Sequence, residues 1–186
     1  MIELATIQKC LKGNQAAYKK AYNESLPYVL SVVSKYIYEP SQRPDVVQSV
    51  YIQLFNSLKR YDKEKGSVKS FVRIITVNCC LTHLKKQSKK PIIHTLSVVS
   101  ESAISSEEEN KLLELSKEDI LDLLKDMPQG YKIVFLLCAI DGFSHKEIAD
   151  QLKITPETSR SQYFRAKKWL IKKFNNSTLI KSYGIF

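Results

Sequence analysis

The stretch DGFSHKEIADQLKITPETSRSQYFRAKKWLIKKF, residues 141–174, reads as two helices joined by a tight turn, the second of them heavily basic. Gly142 stops the apolar run that precedes it. Ser144 opens a helix as its N-cap, and Glu147 three residues later completes a capping box. Ile148, Ala149 and Leu152 fall on one face of that helix. Ile154 plugs the turn, Thr155 caps the next helix, and Pro156 takes its first position, where a missing N–H costs nothing. Between Thr155 and Phe174 stand Arg160, Arg165, Lys167, Lys168, Lys172 and Lys173 against one acid, Glu157. A short helix, a turn and a long cationic helix form a helix-turn-helix pattern, whose second helix enters a DNA major groove. The competing reading is a basic amphipathic helix facing solvent or a membrane surface. The inward stripe of Ser159, Tyr163, Ala166 and Leu170 lacks the broad bulky face a membrane needs and suits packing against a partner helix, which favours DNA.

The charge of the whole chain agrees with that reading. Its 186 residues carry a net charge of +10, unevenly placed. Residues 1–90 hold 16 Lys and Arg against 6 acids, residues 91–118 hold 2 against 6, and residues 119–186 hold 11 against 7. Two basic blocks separated by an acidic spacer indicate two nucleic-acid-facing modules on a hinge. Cys10, Cys79, Cys80 and Cys138 show no CxxC spacing, so reduced thiols in a cytoplasmic protein are expected. Glu3 and Lys9 interrupt any apolar N-terminal stretch, which argues against a signal peptide. The longest apolar run, Ile133 to Ile140, is too short to span a bilayer, so no membrane insertion is expected.

Nearly every periodic stretch is helical, and the fold class expected is all-α: two small helical domains joined by a flexible linker, the C-terminal one containing the helix-turn-helix. A first helix spans about residues 3–12 and stops at Gly13-Asn14. A second begins near Gln15 and is expected to break or kink around Pro27 before continuing to Tyr38. Asp45 starts a helix with Val46, Val47, Val50, Tyr51, Leu54, Phe55 and Leu58 in helical phase. After the loop KRYDKEKGS, a long helix covers residues 68–86. From Ser88 to about Ser106 periodicity fails and Ser, Pro and Glu accumulate, as in a connector. The expected division is a first domain over 1–90, a linker over 91–110 and a second domain over 111–186. Helices resume in LLELSKEDILDLLKDM, and Pro128 begins another that continues through Ile140.

At this point the residues carry a family resemblance. The run from Met127 to Leu170 resembles the C-terminal domain of the extracytoplasmic-function (ECF) sigma factors of bacterial RNA polymerase, in the sigma-70 family. Gly142, Ser144, Glu147, Ile148, Ala149, Leu152, Ile154, Thr158, Ser161, Arg165 and Ala166 match that family's pattern. The N-terminal half is similar to the family's other domain through Asp45, Val47, Gln48, Val50, Leu54 and Phe55, then Phe71, Ile74, Asn78, Leu84, Lys85 and Lys86. Three positions depart from the pattern: Ser159 where an apolar residue is usual, Tyr163 in place of Leu, and Thr82 in place of Asp.

The resemblance implies a transcription initiation factor, not an enzyme, that binds core RNA polymerase and directs it to promoter DNA, with an anti-sigma factor as a further partner. It implies that the first domain (region 2-like) reads the minus-ten element as a single strand and the second (region 4-like) reads the minus-thirty-five element as duplex. Single strands need aromatic platforms in a cationic groove, and Arg60, Tyr61, Lys63, Lys69, Arg73 and Asn78 offer one. Phe71 is either a stacking residue or core, and Asn78 either meets an extruded base or caps a loop. On the recognition helix the outward face is expected to hold Glu157, Thr158, Arg160, Ser161, Phe164 and Arg165, since Arg pairs with guanine and Glu accepts from cytosine. Lys168, with Lys146, Lys153 and Lys172, either contacts phosphates or is solvated. Asp45, Gln48, Ser49, Ile52 and Gln53 form a stripe that the resemblance makes the polymerase-docking face; spacing alone leaves it an ordinary solvated face. His83, His94 and His145 lie apart, without grouped carboxylates or cysteines. No phosphate loop or GxSxG motif appears, so no catalytic residue, metal, cofactor or small-molecule substrate is expected. The alternative is a stand-alone helix-turn-helix regulator with a helical sensor domain.

Overall fold

The structure, a computed structural model, describes residues 1–87, 104 and 116–175. The chain divides into two compact units at residues 90 and 91. Among the described residues there is no strand. The connector, apart from Ile104, lies outside them, as do the start of the helix expected in LLELS, His94 and the last eleven residues.

In the first unit α1 (Leu4–Leu11) ends at Gly13, whose φ of +80° is a conformation glycine adopts readily. Asn14 then caps α2 (Gln15–Tyr36), its side-chain oxygen accepting from the Ala17 N–H at 3.0 Å. The break expected at Pro27 is absent, and α2 is one continuous helix. Pro27 removes the N–H that would have met the Asn23 carbonyl, but both residues are exposed, where solvent can satisfy a carbonyl. A 3₁₀ turn at Pro40–Gln42 leads into α3 (Arg43–Ser57), which begins two residues before the expected start. The Arg43 guanidinium fastens this junction, donating to the carbonyls of Ile37 at 2.9 Å and Tyr38 at 3.1 Å. Short 3₁₀ turns at Leu58–Arg60 and Lys63–Lys65 precede α4 (Val68–Gln87).

Helices α2, α3 and α4 pack on one another, and α1 packs on α2. Val29, Val33, Val50, Leu54, Val72, Val77 and Cys80 are completely buried where they meet. Tyr51 brings a hydroxyl into this core, 3.0 Å from Ser25 Oγ and donating to the Tyr22 carbonyl at 3.2 Å. Burial pushes the Cys79 thiol up to about 11, so it stays protonated and unreactive.

In the second unit α5 (Lys117–Leu123) is capped by Ser116 and runs into a 3₁₀ turn, Leu124–Asp126. Helix α6 (Gln129–Phe135) continues as a π-helical segment, Leu136–Ile140. There the Asp141 N–H donates to the Leu136 carbonyl at 2.9 Å, five residues back. Gly142, at φ +71°, turns the chain into α7 (His145–Leu152), which carries the expected capping box. Lys153 adopts a left-handed conformation, φ 59°, and α8 (Pro156–Asn175) comes next. Helix α8 packs against α5, α6 and α7.

Candidate functional site

The described residues carry three candidate surfaces. The first is on α3, where Asp45, Gln48, Ser49, Ile52 and Gln53 are all exposed. Ile52 keeps 56% of its surface open, the largest exposure of a big apolar side chain among the described residues. It borders a shallow groove of roughly 460 Å³ lined by Tyr22, Pro44, Val47, Gln48, Tyr51, Ile52 and Phe55. The groove floor is aromatic: Tyr51 lies 4.3 Å from Tyr22 and 5.7 Å from Phe55 between ring centroids, and Tyr18 meets Phe55 edge-on at 4.9 Å. Two residues of the stripe read from the sequence, Gln48 and Ile52, thus line an apolar trough. Tyr22, on α2, and Pro44 were not foreseen in it, because one helix's periodicity says nothing of what a neighbouring helix adds.

The second surface joins the 58–67 loop to α4 and α2. Arg60, Lys63 and Lys69 are exposed, while Tyr61, Phe71, Arg73 and Asn78 are half-buried. Tyr61 leans edge-on against Phe71, centroids 5.4 Å apart, and its hydroxyl donates to the Gly66 carbonyl at 3.2 Å. The loop is therefore folded back upon itself, and Tyr61 and Phe71 form one aromatic ledge rather than separate platforms. Tyr28, which periodicity did not single out, presents its ring to Lys69, whose Nζ lies 5.3 Å above it. Aromatic faces beside exposed cations match what an unstacked base and its phosphate need. At the position where an acid was the usual residue, Thr82 Oγ1 donates instead to the Asn78 carbonyl at 2.8 Å.

The third surface is the N-terminal half of α8. Glu157 and Arg160 stand at its exposed tip, ion-paired to each other one turn apart. The Glu157 carboxyl is held below the usual range, first by its own backbone N–H, then by the Thr155 hydroxyl and Arg160. Thr155 caps the helix as expected, accepting from the Thr158 N–H at 3.1 Å. Thr158 and Ser161 are half-buried, and the Ser161 hydroxyl donates to the Thr158 carbonyl at 2.9 Å.

Two expectations for this helix are corrected. Arg165 does not belong to the outward face: it is buried, with 9% exposure. Phe164 is half-buried rather than exposed, with Lys168 Nζ 5.2 Å over its ring. The reason is the width of the buried arc. Helix α8 meets α5, α6 and α7, so Ser159, Gln162, Arg165, Ala166, Leu170, Ile171 and Phe174 are all covered, a broader band than the four-residue stripe expected.

The two unusual inward residues also find partners. Ser159, fully buried, has its hydroxyl 2.9 Å from His145 Nδ1 on α7. Tyr163 stacks on Phe135 at 5.9 Å with planes 22° apart and meets the His145 ring edge-on at 5.7 Å. Burial, and then the nearby Arg160 charge, lower the His145 pKa, favouring the neutral imidazole. Among the described residues no group of three or more His, Cys, Asp or Glu is placed to hold a metal ion, and no helix is long and apolar enough to cross a membrane.

Comparisons with known proteins bear on the same two halves. Residues 21–90 match the family described as Sigma-70 region 2, and residues 117–170 match Sigma-70, region 4. The chain is 27% identical over 172 residues to the ECF RNA polymerase sigma-E factor of Escherichia coli K12, covering 87% of this chain and 88% of that one. It is 23% identical over 181 residues to the factor of the same name from Haemophilus influenzae, covering 91% of this chain and 94% of that one. Among solved structures, that of CnrH in complex with the cytosolic domain of CnrY is similar in fold. Its TM-score is 0.52 at 16% identity, over 94% of this chain and 97% of that one.

Proposed function

This chain belongs to the ECF group of the sigma-70 family and directs RNA polymerase to promoters; on that premise we propose how its surfaces divide the work. The α3 face of Asp45, Gln48, Ser49, Ile52 and Gln53, with the apolar trough beside it, docks on core polymerase. Apolar side chains in a concave setting with a polar rim have the composition of an interface centre. The ledge of Tyr61 and Phe71, with Tyr28, Arg60, Lys63, Lys69, Arg73 and Asn78, receives the single strand of the minus-ten element in the unit formed by residues 1–90. The Glu157–Arg160 tip, with Thr158 and Ser161, reads the minus-thirty-five duplex from the second unit, residues 91–186. Lys168 serves the phosphate backbone. The protein acts in the cytoplasm, without catalysis of its own, and an anti-sigma factor is a further partner. The CnrH neighbour, solved on the cytosolic domain of a second protein, supports that last reading.

The observation that carries the proposal is the wholly exposed α3 face around Ile52. The test is reconstitution: the purified chain should co-purify with core polymerase and start transcription at a subset of promoters. It should also bind promoter duplex poorly alone. A specific footprint by the free protein at nanomolar concentration, without polymerase, would establish the stand-alone regulator in its place.

A further inference from the structure

The recognition helix is aimed by a polar contact at a place where apolar packing would suffice. Ser159 lies between Thr158 and Arg160, and its side chain is completely buried against α7. A buried hydroxyl needs a partner, and His145 Nδ1 supplies one at 2.9 Å. His145 is itself held firmly, since it comes directly after the N-cap Ser144. The Ser144 N–H donates to Glu147 Oε2 at 2.8 Å, and the Glu147 N–H donates to Ser144 Oγ at 3.3 Å. Its ring also meets Tyr163, which stacks on Phe135 of α6. Phe135, Tyr163, His145 and Ser159 thereby connect α6, α7 and α8 through a single run of contacts.

A hydrogen bond differs from apolar contact in being directional: it weakens steeply when its angle falls below about 120°. Apolar packing favours no single direction of contact, whereas the His145–Ser159 bond is lost once α8 turns far enough to carry the Ser159 hydroxyl out of line with Nδ1. Successive residues on an α-helix point about 100° apart, so holding Ser159 inward fixes where Thr158 and Arg160 point on either side.

We propose that His145 and Ser159 are positioning residues for promoter recognition: their hydrogen bond sets the rotation of α8 and so selects the base edge that Arg160 addresses. The proposal rests on the reading of α8 as the duplex-recognition helix. It adds a determinant of sequence preference that never touches DNA.

The experiment uses the full chain reconstituted with core polymerase and a promoter library randomised across the upstream element, alongside thermal melting of each variant. His145→Phe and Ser159→Ala should each lower the preferred-to-mismatched ratio at the base read by Arg160 by about fivefold or more, within the range a good side-chain–base pair supplies. His145→Asn, whose amide keeps a donor and an acceptor near the Nδ1 position, should restore the ratio to within about twofold of the parent. The double variant His145→Phe/Ser159→Val makes both partners apolar and leaves no buried group unpaired, so its melting temperature should recover. Its base preference should stay relaxed, because no directional contact remains. Recovery of preference together with stability in the double variant would overturn the proposal and leave the pair a purely structural contact, as would single variants that melt lower yet keep the parental preference. Should the single variants fail to fold, the double variant alone decides between these outcomes. Arg160→Ala in the same library separates the two levels: if it too leaves every base preference unchanged, the reading of α8 fails, not the pairing of His145 with Ser159.

Discussion

Helices α3 and α8 each present a face proposed for a large partner, and they differ in how much of that face is open. All five residues expected on the α3 stripe are exposed, whereas of the seven expected on α8 only Glu157 and Arg160 are fully so. Both helices space their buried residues with helical periodicity, though α8 buries Ser159, Gln162 and Arg165 among its apolar ones. What separates them is the number of neighbours: α3 rests on α2 and α4, while α8 is gripped by α5, α6 and α7. Periodicity gives the phase of a helix, and the packing around it decides how wide the covered arc becomes. A face read from sequence is therefore safest on a helix at the margin of its bundle and least safe on one at the centre.

The largest effect expected from this contrast is on α3. Replacing Gln48 and Ser49 with arginines, or Ile52 with aspartate, should weaken polymerase binding by roughly 2 kcal/mol or more, the scale of an interface hot spot. Helicity and melting should hardly change, because all three side chains already face water. Pull-down of core polymerase with circular dichroism in parallel checks this, and a folded variant that co-purifies as before would end the docking assignment.

Next comes a pair of arginines on α8 with opposite expectations. Arg160→Ala should flatten discrimination at one base by about 1–3 kcal/mol while leaving stability within about 0.5 kcal/mol, as for most surface changes. Arg165→Ala should do the reverse, lowering stability by about 1–3 kcal/mol through a disrupted buried site and leaving the preferred sequence as it was. Denaturant unfolding beside promoter-library transcription distinguishes them. If Arg165→Ala shifted the preference at unchanged stability, the width of the covered arc would be the wrong explanation.

Lys168 tests the same face at a lower level. Lys168→Ala should weaken all promoter sequences alike and reduce the salt dependence by about one counterion. Transcription of matched and mismatched promoters at two salt concentrations is the measurement.

The smallest effect belongs to the turn. Lys153 holds a left-handed backbone at φ 59°, where a side chain is disfavoured by about 1–2 kcal/mol. Lys153→Gly removes that strain but adds freedom to the unfolded chain, so a net gain of only about 0.5 kcal/mol is expected. Urea unfolding of the full chain would resolve it.

Much of the fold was legible because local chemistry and periodicity agreed. The capping box of Ser144 and Glu147, the buried trio Ile148, Ala149 and Leu152, and the Asn14 boundary all stand where side chains within a few residues of each other dictate. What escaped depends on distance in sequence. The His145–Ser159 contact spans 14 residues across a turn, and Tyr22 reaches the α3 groove from another helix. Tyr28 meets Lys69 only because α2 and α4 pack together. The continuity of α2 through Pro27 required knowing that Asn23 faces water. The early start of α3 required the Arg43 side chain to reach back to Ile37 and Tyr38.

The π-helical segment Leu136–Ile140 has a consequence of its own. Bonding five residues back instead of four lodges one more residue in the turn than an α-helix holds. That residue is absorbed as slack: the chain leaves α6 in the phase of an α-helix one residue shorter. Leu136 and Leu137 are wholly buried at the start of the segment, and Phe143 is buried after it, its N–H donating to the Leu137 carbonyl at 2.9 Å. Excising the exposed Ala139 would turn the Asp141-to-Leu136 bond into an ordinary four-residue one, so the segment should relax into an α-helix with the chain beyond it leaving in nearly the same direction. Phe143 would keep its place in the core, and α7 its heading. The turn thus absorbs a change in residue count that an uninterrupted α-helix would pass on to α7 and α8 as a rotation of about 100°.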